Sequence, residues 1–177
     1  MQFTVHNMVI TVEFSNRLDL DLIASKLEGA EYAPDQFPGL VYRIKKPKAS
    51  FLIFSSGKMN CAGVTSIKDA KNAIAQMLKK LKRMGFKIFE PKIEIQNVVA
   101  STELKKRVEL ERVLELEGTE YEPEQFPGLV YRTKKGVAFL IFSGGKIVCV
   151  GARSIKQAKE SLDNLLRKLR SIKALKD

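Results

Sequence analysis

The sequence predicts an α+β fold made of one unit used twice, with helices on one face of a sheet. Three observations lead there. The stretch EYAPDQFPGLVYRIK from Glu31 returns as EYEPEQFPGLVYRTK from Glu120, with twelve of fifteen positions the same. Short apolar/polar alternations mark strands, and two longer segments with apolar residues three and four apart mark helices. Strands outnumber helices, so helices can cover only one face of the sheet, and the other face must meet water or a ligand.

The repeat runs far beyond that stretch. FLIFSSGK at 51–58 answers FLIFSGGK at 139–146, and SIKDAKNAIAQMLKKLKR at 66–83 answers SIKQAKESLDNLLRKLRS at 154–171. HNMVITVEF at 6–14 answers QNVVASTEL at 96–104. The offset stays at 88 to 90 residues, which is a domain-sized duplication and not a solenoid period. Half-repeats 1–89 and 90–177 related by a pseudo-two-fold axis are expected.

Each half opens with an alternating strand, at 4–13 and 93–102. A short helix follows at 18–28 and 108–117, with Leu18, Leu22, Ile23 and Leu27 on one side; Gly29 and Gly118 stand where such helices stop. Four strand candidates come next: 30–33, 39–45, 49–55 and 58–63, repeated at 119–122, 128–134, 137–143 and 146–151. Gly57 and Gly145 mark tight hairpins. A long helix closes each half at 66–84 and 154–172. In the first, Ile67, Ala70, Ile74, Met77 and Leu81 form the apolar stripe, and the other face is rich in lysine.

Side chains alternate across a strand, so parity assigns the open face. Phe54 shares a face with Leu52, opposite Phe51 and Ile53; Lys58, Asn60 and Ala62 lie opposite Met59 and Cys61; Asn7, Val9 and Thr11 lie opposite His6, Met8 and Ile10. The set with the polar members is an apolar surface holding a few amides, and such a surface calls for a partner. The formal net charge of +11 points to an acidic one, nucleic acid first.

Several classes fall away. The two cysteines, Cys61 and Cys149, form no CxxC pair, and one histidine cannot complete a usual zinc set, so buried free thiols and no cofactor are expected. Catalysis would need a convergent acid–base or nucleophile set; His6, the lone histidine, opposes the open face, and SGGK lacks phosphate-loop spacing. No apolar run approaches the roughly 18 residues of a membrane span, and the start reads as a strand and not a signal peptide. A non-enzymatic intracellular protein is expected.

QFPGLVYR, LIFSGGK and QNVVAS, duplicated at this spacing from about Thr4 to Leu175, resemble the core of the TATA-box-binding protein family; QFPGL in both copies resembles its archaeal form. The resemblance implies an internally duplicated α+β saddle: a curved ten-stranded antiparallel sheet with four helices on the convex face. It implies that the concave face binds the minor groove of double-stranded TATA-box DNA. It assigns Phe37 and Phe126 as wedges, with Phe54 and Phe142 as their partners. Asn7 and Asn97 match the paired central asparagines, beside Val9 and Val99, with Leu52, Asn60, Leu140 and Val148 also on the groove-facing surface. Arg43, Lys58, Arg132 and Lys146 match phosphate-approaching positions. The Lys45, Lys46, Lys48 and Lys134, Lys135 clusters fit either a phosphate contact or a solvated edge. The basic long helices fit either a solvated back or a surface for an acidic regulator. Glu122 and Glu124 match the acids that the family presents to transcription factor B, through which RNA polymerase is recruited indirectly; the first copy has Ala33 and Asp35 there. The archaeal reading implies a cytoplasmic, nucleoid-associated protein, and a eukaryotic one a nuclear protein. Two positions depart from the family: the threonine expected after each cysteine is Ala62 and Val150. Asn60 also stands where an apolar residue is usual, as at Val148.

Overall fold

A computed structural model describes residues 2–177. The elements, in order, are β1 (Gln2–Glu13), α1 (Leu20–Lys26), β2 (Leu40–Lys45), β3 (Lys48–Ile53), β4 (Lys58–Val64), α2 (Ile67–Arg83), β5 (Lys92–Glu103), β6 (Arg107–Val108), α3 (Leu110–Val113), β7 (Thr119–Glu120), β8 (Leu129–Arg132), β9 (Ala138–Ile141), β10 (Lys146–Ala152), α4 (Ile155–Ser171) and β11 (Leu175–Lys176). Nine strands make the main antiparallel sheet, in the order β2-β3-β4-β1-β5-β10-β9-β8-β7, while β11 and β6 pair separately. The chain divides into two compact units, Asn7–Gln96, and Asn97–Asp177 joined by the residues up to His6.

In the first unit, Ser66 caps α2 by accepting from the Asp69 amide at 3.1 Å. Ala70, Ala73, Ile74, Met77 and Leu81 turn inward, and α2 packs on β4. Ile67 was expected in this stripe but, as the first residue of α2, is 40% exposed. Under the helix lie Met8, Ile10, Val12, Phe51, Ile53, Met59 and Cys61, all from one parity of β1, β3 and β4. The segment 85–92 is tied down by Phe89 N–H on the Phe14 carbonyl and by Ser15 Oγ on the Lys87 carbonyl.

In the second unit, Ser154 caps α4 in the same way, accepting from the Gln157 amide at 2.9 Å. Ala158, Leu162, Leu165, Leu166 and Leu169 pack over Phe139, Ile141, Ile147 and Cys149. Both cysteines are buried and free, and burial pushes each thiol up to about 11, so they stay uncharged at neutral pH.

Four differences from the sequence reading have local causes. The main sheet has nine strands and not ten, because the candidate at 30–33 is reduced to one bridge, Glu31 with Val41. In the second copy the Arg132 amide also donates to the Gly118 carbonyl, and the counterpart becomes β7. The short helix is trimmed to Leu20–Lys26, with Leu22 turned outward and Leu20 in its place. Its counterpart at 108–117 is only one turn, α3. Asp19 caps α1 through the Leu22 amide at 3.1 Å, whereas Glu109 makes no side-chain cap and pairs with Arg112 and Lys176 instead. The small sheet β6–β11 was not foreseen; two-residue strands carry no readable period.

Candidate nucleic-acid interface

Along β3, β4, β9 and β10 the parity reading agrees with burial, whereas in β1 His6, grouped by parity with Met8 and Ile10, is exposed. Along β3 and β4, Leu52, Asn60 and Ala62 are part-exposed while Phe51, Ile53, Met59 and Cys61 are fully buried. Asn60 stands opposite Leu52 on one neighbour and Thr11 on the other, so it sits mid-sheet. In the second unit Leu140, Val148 and Val150 are the part-exposed set, with Phe139, Ile147 and Cys149 buried behind them. Val148 stands opposite Leu140 and Ser101. Val9 and Val99 are part-exposed in β1 and β5.

The two asparagines are held alike. Asn7 Oδ1 accepts from the Gly63 amide at 2.7 Å, and Asn97 Oδ1 accepts from the Gly151 amide at 2.7 Å. The backbone partner can only donate, which fixes the amide orientation and leaves the NH2 group free as a donor. Gly63 (φ 97°) and Gly151 (φ 88°) make this geometry possible: each sits where the ladder slips, between Val9 and Met8 on one side and Cys149 and Ala152 on the other. These bulges are part of the site and were missed in the sequence. A glycine two residues after each cysteine was the available signal.

The phenylalanines that the resemblance assigns as wedges form two matched pairs. Phe37 and Phe126 are 43% and 41% exposed, unusual for phenylalanine beside well-packed strands. Phe37 meets Phe54 edge-on with centroids 6.2 Å apart; Phe126 meets Phe142 at 5.8 Å, both at 65°. A turn fixes each loop: the Phe37 amide donates to the Ala33 carbonyl and the Phe126 amide to the Glu122 carbonyl, both at 3.0 Å. A Cβ on Gly39 would lie 2.7 Å from the Phe37 ring and 3.0 Å from that of Phe54; on Gly128 it would lie 2.8 Å from Phe126 and 3.0 Å from Phe142. The FPG sequence therefore lets two rings close over bare backbone.

Lys58 and Lys146 are exposed at the starts of β4 and β10. Arg43 and Arg132 are also exposed, but each is paired, to Glu31 at 3.7 Å and to Glu120 at 3.4 Å. The family resemblance matches these arginines to phosphate-approaching positions; the glutamates that hold them are the first residues of the two EY…QFPGLVYR stretches. Exposed pairs of this kind contribute little stability and yield readily to another anion. Glu122 and Glu124 are exposed on the second wedge loop, next to Phe126. His6, expected opposite the open face, is exposed, and its ring Nε2 is hydrogen-bonded with Ser101 Oγ, the residue that stands opposite Val148. Among the described residues no cluster of His, Cys, Asp or Glu could hold a metal ion, and no helix is long and apolar enough to cross a membrane.

Comparison with known proteins agrees with this geometry. The sequence profile of the family described as "Transcription factor TFIID (or TATA-binding protein, TBP)" matches residues 2–84 and again 92–172. The TATA-box-binding protein of Pyrobaculum aerophilum is 47% identical, over 98% of this chain and 88% of that one. The TATA-box-binding protein of Methanocaldococcus jannaschii is 44% identical, over 98% of this chain and 97% of its own. A solved structure titled "Methanococcus jannaschii TBP" superposes with a TM-score of 0.89 at 44% identity, covering 97% of this chain and 99% of that one.

Proposed function

Because the chain belongs to the TATA-binding protein family, a non-enzymatic family of DNA-binding transcription factors, we propose that it acts by wedging open and bending A·T-rich promoter DNA from the minor groove. The observation that carries this reading is the pair of exposed, edge-on phenylalanine couples, Phe37 with Phe54 and Phe126 with Phe142. A flat apolar ring inserted between base pairs must be stiff to hold them unstacked. The turn hydrogen bonds and the glycine under each couple supply that stiffness. The family is the established example of a binder that kinks its duplex by about 80°, a magnitude that belongs to the family and is not calculated from this chain.

Base selection follows from donors and shape. A·T pairs show only acceptors in the minor groove, whereas G·C adds a donor and a protruding amino group. The free NH2 groups of Asn7 and Asn97 suit those acceptors. Val9, Leu52, Val99, Leu140 and Val148 pack best where the guanine amino group is missing. Lys58 and Lys146 contact phosphates directly; Arg43 and Arg132 do so by exchanging Glu31 and Glu120 for the DNA. A competition experiment tests this reading. A TATA duplex should displace a labelled TATA probe far better than the same duplex with central G·C pairs, and better than an RNA–DNA hybrid. Equal displacement by all three would overturn minor-groove selection.

Glu122 and Glu124 we assign to transcription factor B, and through it to RNA polymerase. They stand on the second wedge loop, and the first loop offers Ala33 and Asp35 in their place, so the two loops are not interchangeable. Glu122→Arg with Glu124→Arg should keep TATA binding and abolish the ternary complex with transcription factor B in a gel-shift titration. A ternary complex of wild-type strength would refute the assignment. DNA association places the protein with the chromosome.

A further inference from the structure

The second unit has a groove of about 730 Å³ on the side away from Leu140 and Val148. It runs between α4 and the β8 end, past the turn at Leu116–Gly118 and the hairpin at Thr133–Lys135. The part-exposed Leu116 and the edges of the nearly buried Tyr131, Phe139 and Leu165 supply its apolar surface. Its charged rim is one-sided: Lys134, Lys135, Arg167 and Lys168 face Glu117 as the lone acid of the lining, while Arg132 is held by Glu120. Lys168 is held in place, with Nζ donating to Tyr131 Oη at 3.0 Å and lying 5.6 Å from the ring centroid.

The other copy shows why this groove is open. In the first unit Gln76 Nε2 donates to the Lys46 carbonyl at 2.9 Å, bridging α2 to the β2–β3 hairpin. The counterpart in α4 is Asn164, one methylene shorter, and it faces a hairpin one residue shorter. Asn164 Oδ1 accepts from Arg167 of its own helix instead, so the bridge is not made.

We propose that this groove docks an acidic peptide segment of a partner protein, with one or two large apolar side chains seated between α4 and β8. Charge complementarity selects the acidic flanks, because four cations other than the Glu120-paired Arg132 oppose one carboxylate. The apolar walls select the anchor, in the manner of a side chain filling a pocket at an interface. Since α4 covers the buried side of β10, a peptide seated here leaves Leu140 and Val148 clear, and docking is compatible with DNA binding.

The test uses the full chain and a fluorescein-labelled acidic peptide of Asp and Glu around a central Phe-Leu pair, followed by anisotropy. The wild type should bind, and replacing Phe-Leu by Ser-Ser should weaken binding by about tenfold or more. Arg167→Glu should also weaken it by about tenfold, while Lys79→Glu, the same charge change at the equivalent position of α2, should leave it unchanged. Ser161→Trp fills the groove without removing a charge and should abolish binding, with folding checked by thermal melting and TATA affinity. If the wild type does not bind, the docking site is overturned outright; if Ser-Ser binds as well, or if Lys79→Glu matches Arg167→Glu, general attraction to a basic protein is all there is and the docking site is overturned too. Should Ser161→Trp fail to fold, the Arg167 and Lys79 pair decides.

Discussion

At the scale of single residues, the chemistry of this protein depends on which atoms are left unused. Asn7 and Asn97 spend their carbonyl oxygens on Gly63 and Gly151 and keep their donors. Asn60 has no such twin, since Val148 occupies the equivalent place. An amide there can donate to adenine N3 or thymine O2, or accept from the guanine amino group, and valine can do neither. The first-repeat end of the DNA site should therefore tolerate G·C better than the other end, by about 1 kcal/mol, the low end for a base contact. Asn60→Val should make the two ends equal. A binding series with single G·C substitutions, with orientation fixed by a cleavage tag on one wedge loop, reads this out; symmetric wild-type penalties would remove Asn60 from readout. The residues at these positions were legible by parity and duplication. What was not legible was the partner of each: a bulge glycine 54 or 56 residues away, or the glutamates beside Arg43 and Arg132. Sequence period says which face a residue takes, and nothing about the neighbour it meets there.

At the scale of elements, the long signals were reliable and the short ones were not. α2 and α4 follow from long repeated segments with an apolar stripe, and β1 and β5 from long alternation. The one-turn α3, the bridge at Glu31 and the β6–β11 pair are each decided by one or two hydrogen bonds from elsewhere in the chain. The comparison of α1 with α3 makes the point quantitatively. A side-chain cap is worth about 0.5–2 kcal/mol, and α1 has one where α3 has none. Asp19→Ala should cost about 1 kcal/mol in a urea titration, while Glu109→Ala should not act through a cap at all. An Asp19→Ala variant as stable as wild type would mean that packing of Leu20 and Ile23 alone holds α1.

At the scale of the whole molecule, duplication together with the family resemblance of the repeated motifs made the function readable. One FPG loop beside a strand would have read as a turn over a core phenylalanine; two copies, each with a matching glycine and a ring partner, read as a tool used twice. The net charge of +11 pointed to nucleic acid but could not divide its lysines between the DNA face and the helices. That division needs the third dimension, as does the groove beside α4, where Asn164 bonds Arg167 of its own helix while Gln76 in the first unit bonds the β2–β3 hairpin. The central claim is that the phenylalanine pairs bend the DNA. It is tested most directly by fluorescence transfer between dyes at the two ends of a short TATA duplex. Wild type should bring the ends together. With Phe37, Phe54, Phe126 and Phe142 all changed to alanine, and protein raised until the duplex is saturated, transfer should fall toward that of free DNA while the protein still melts cooperatively. A saturated complex of the alanine variant with wild-type transfer would contradict the account.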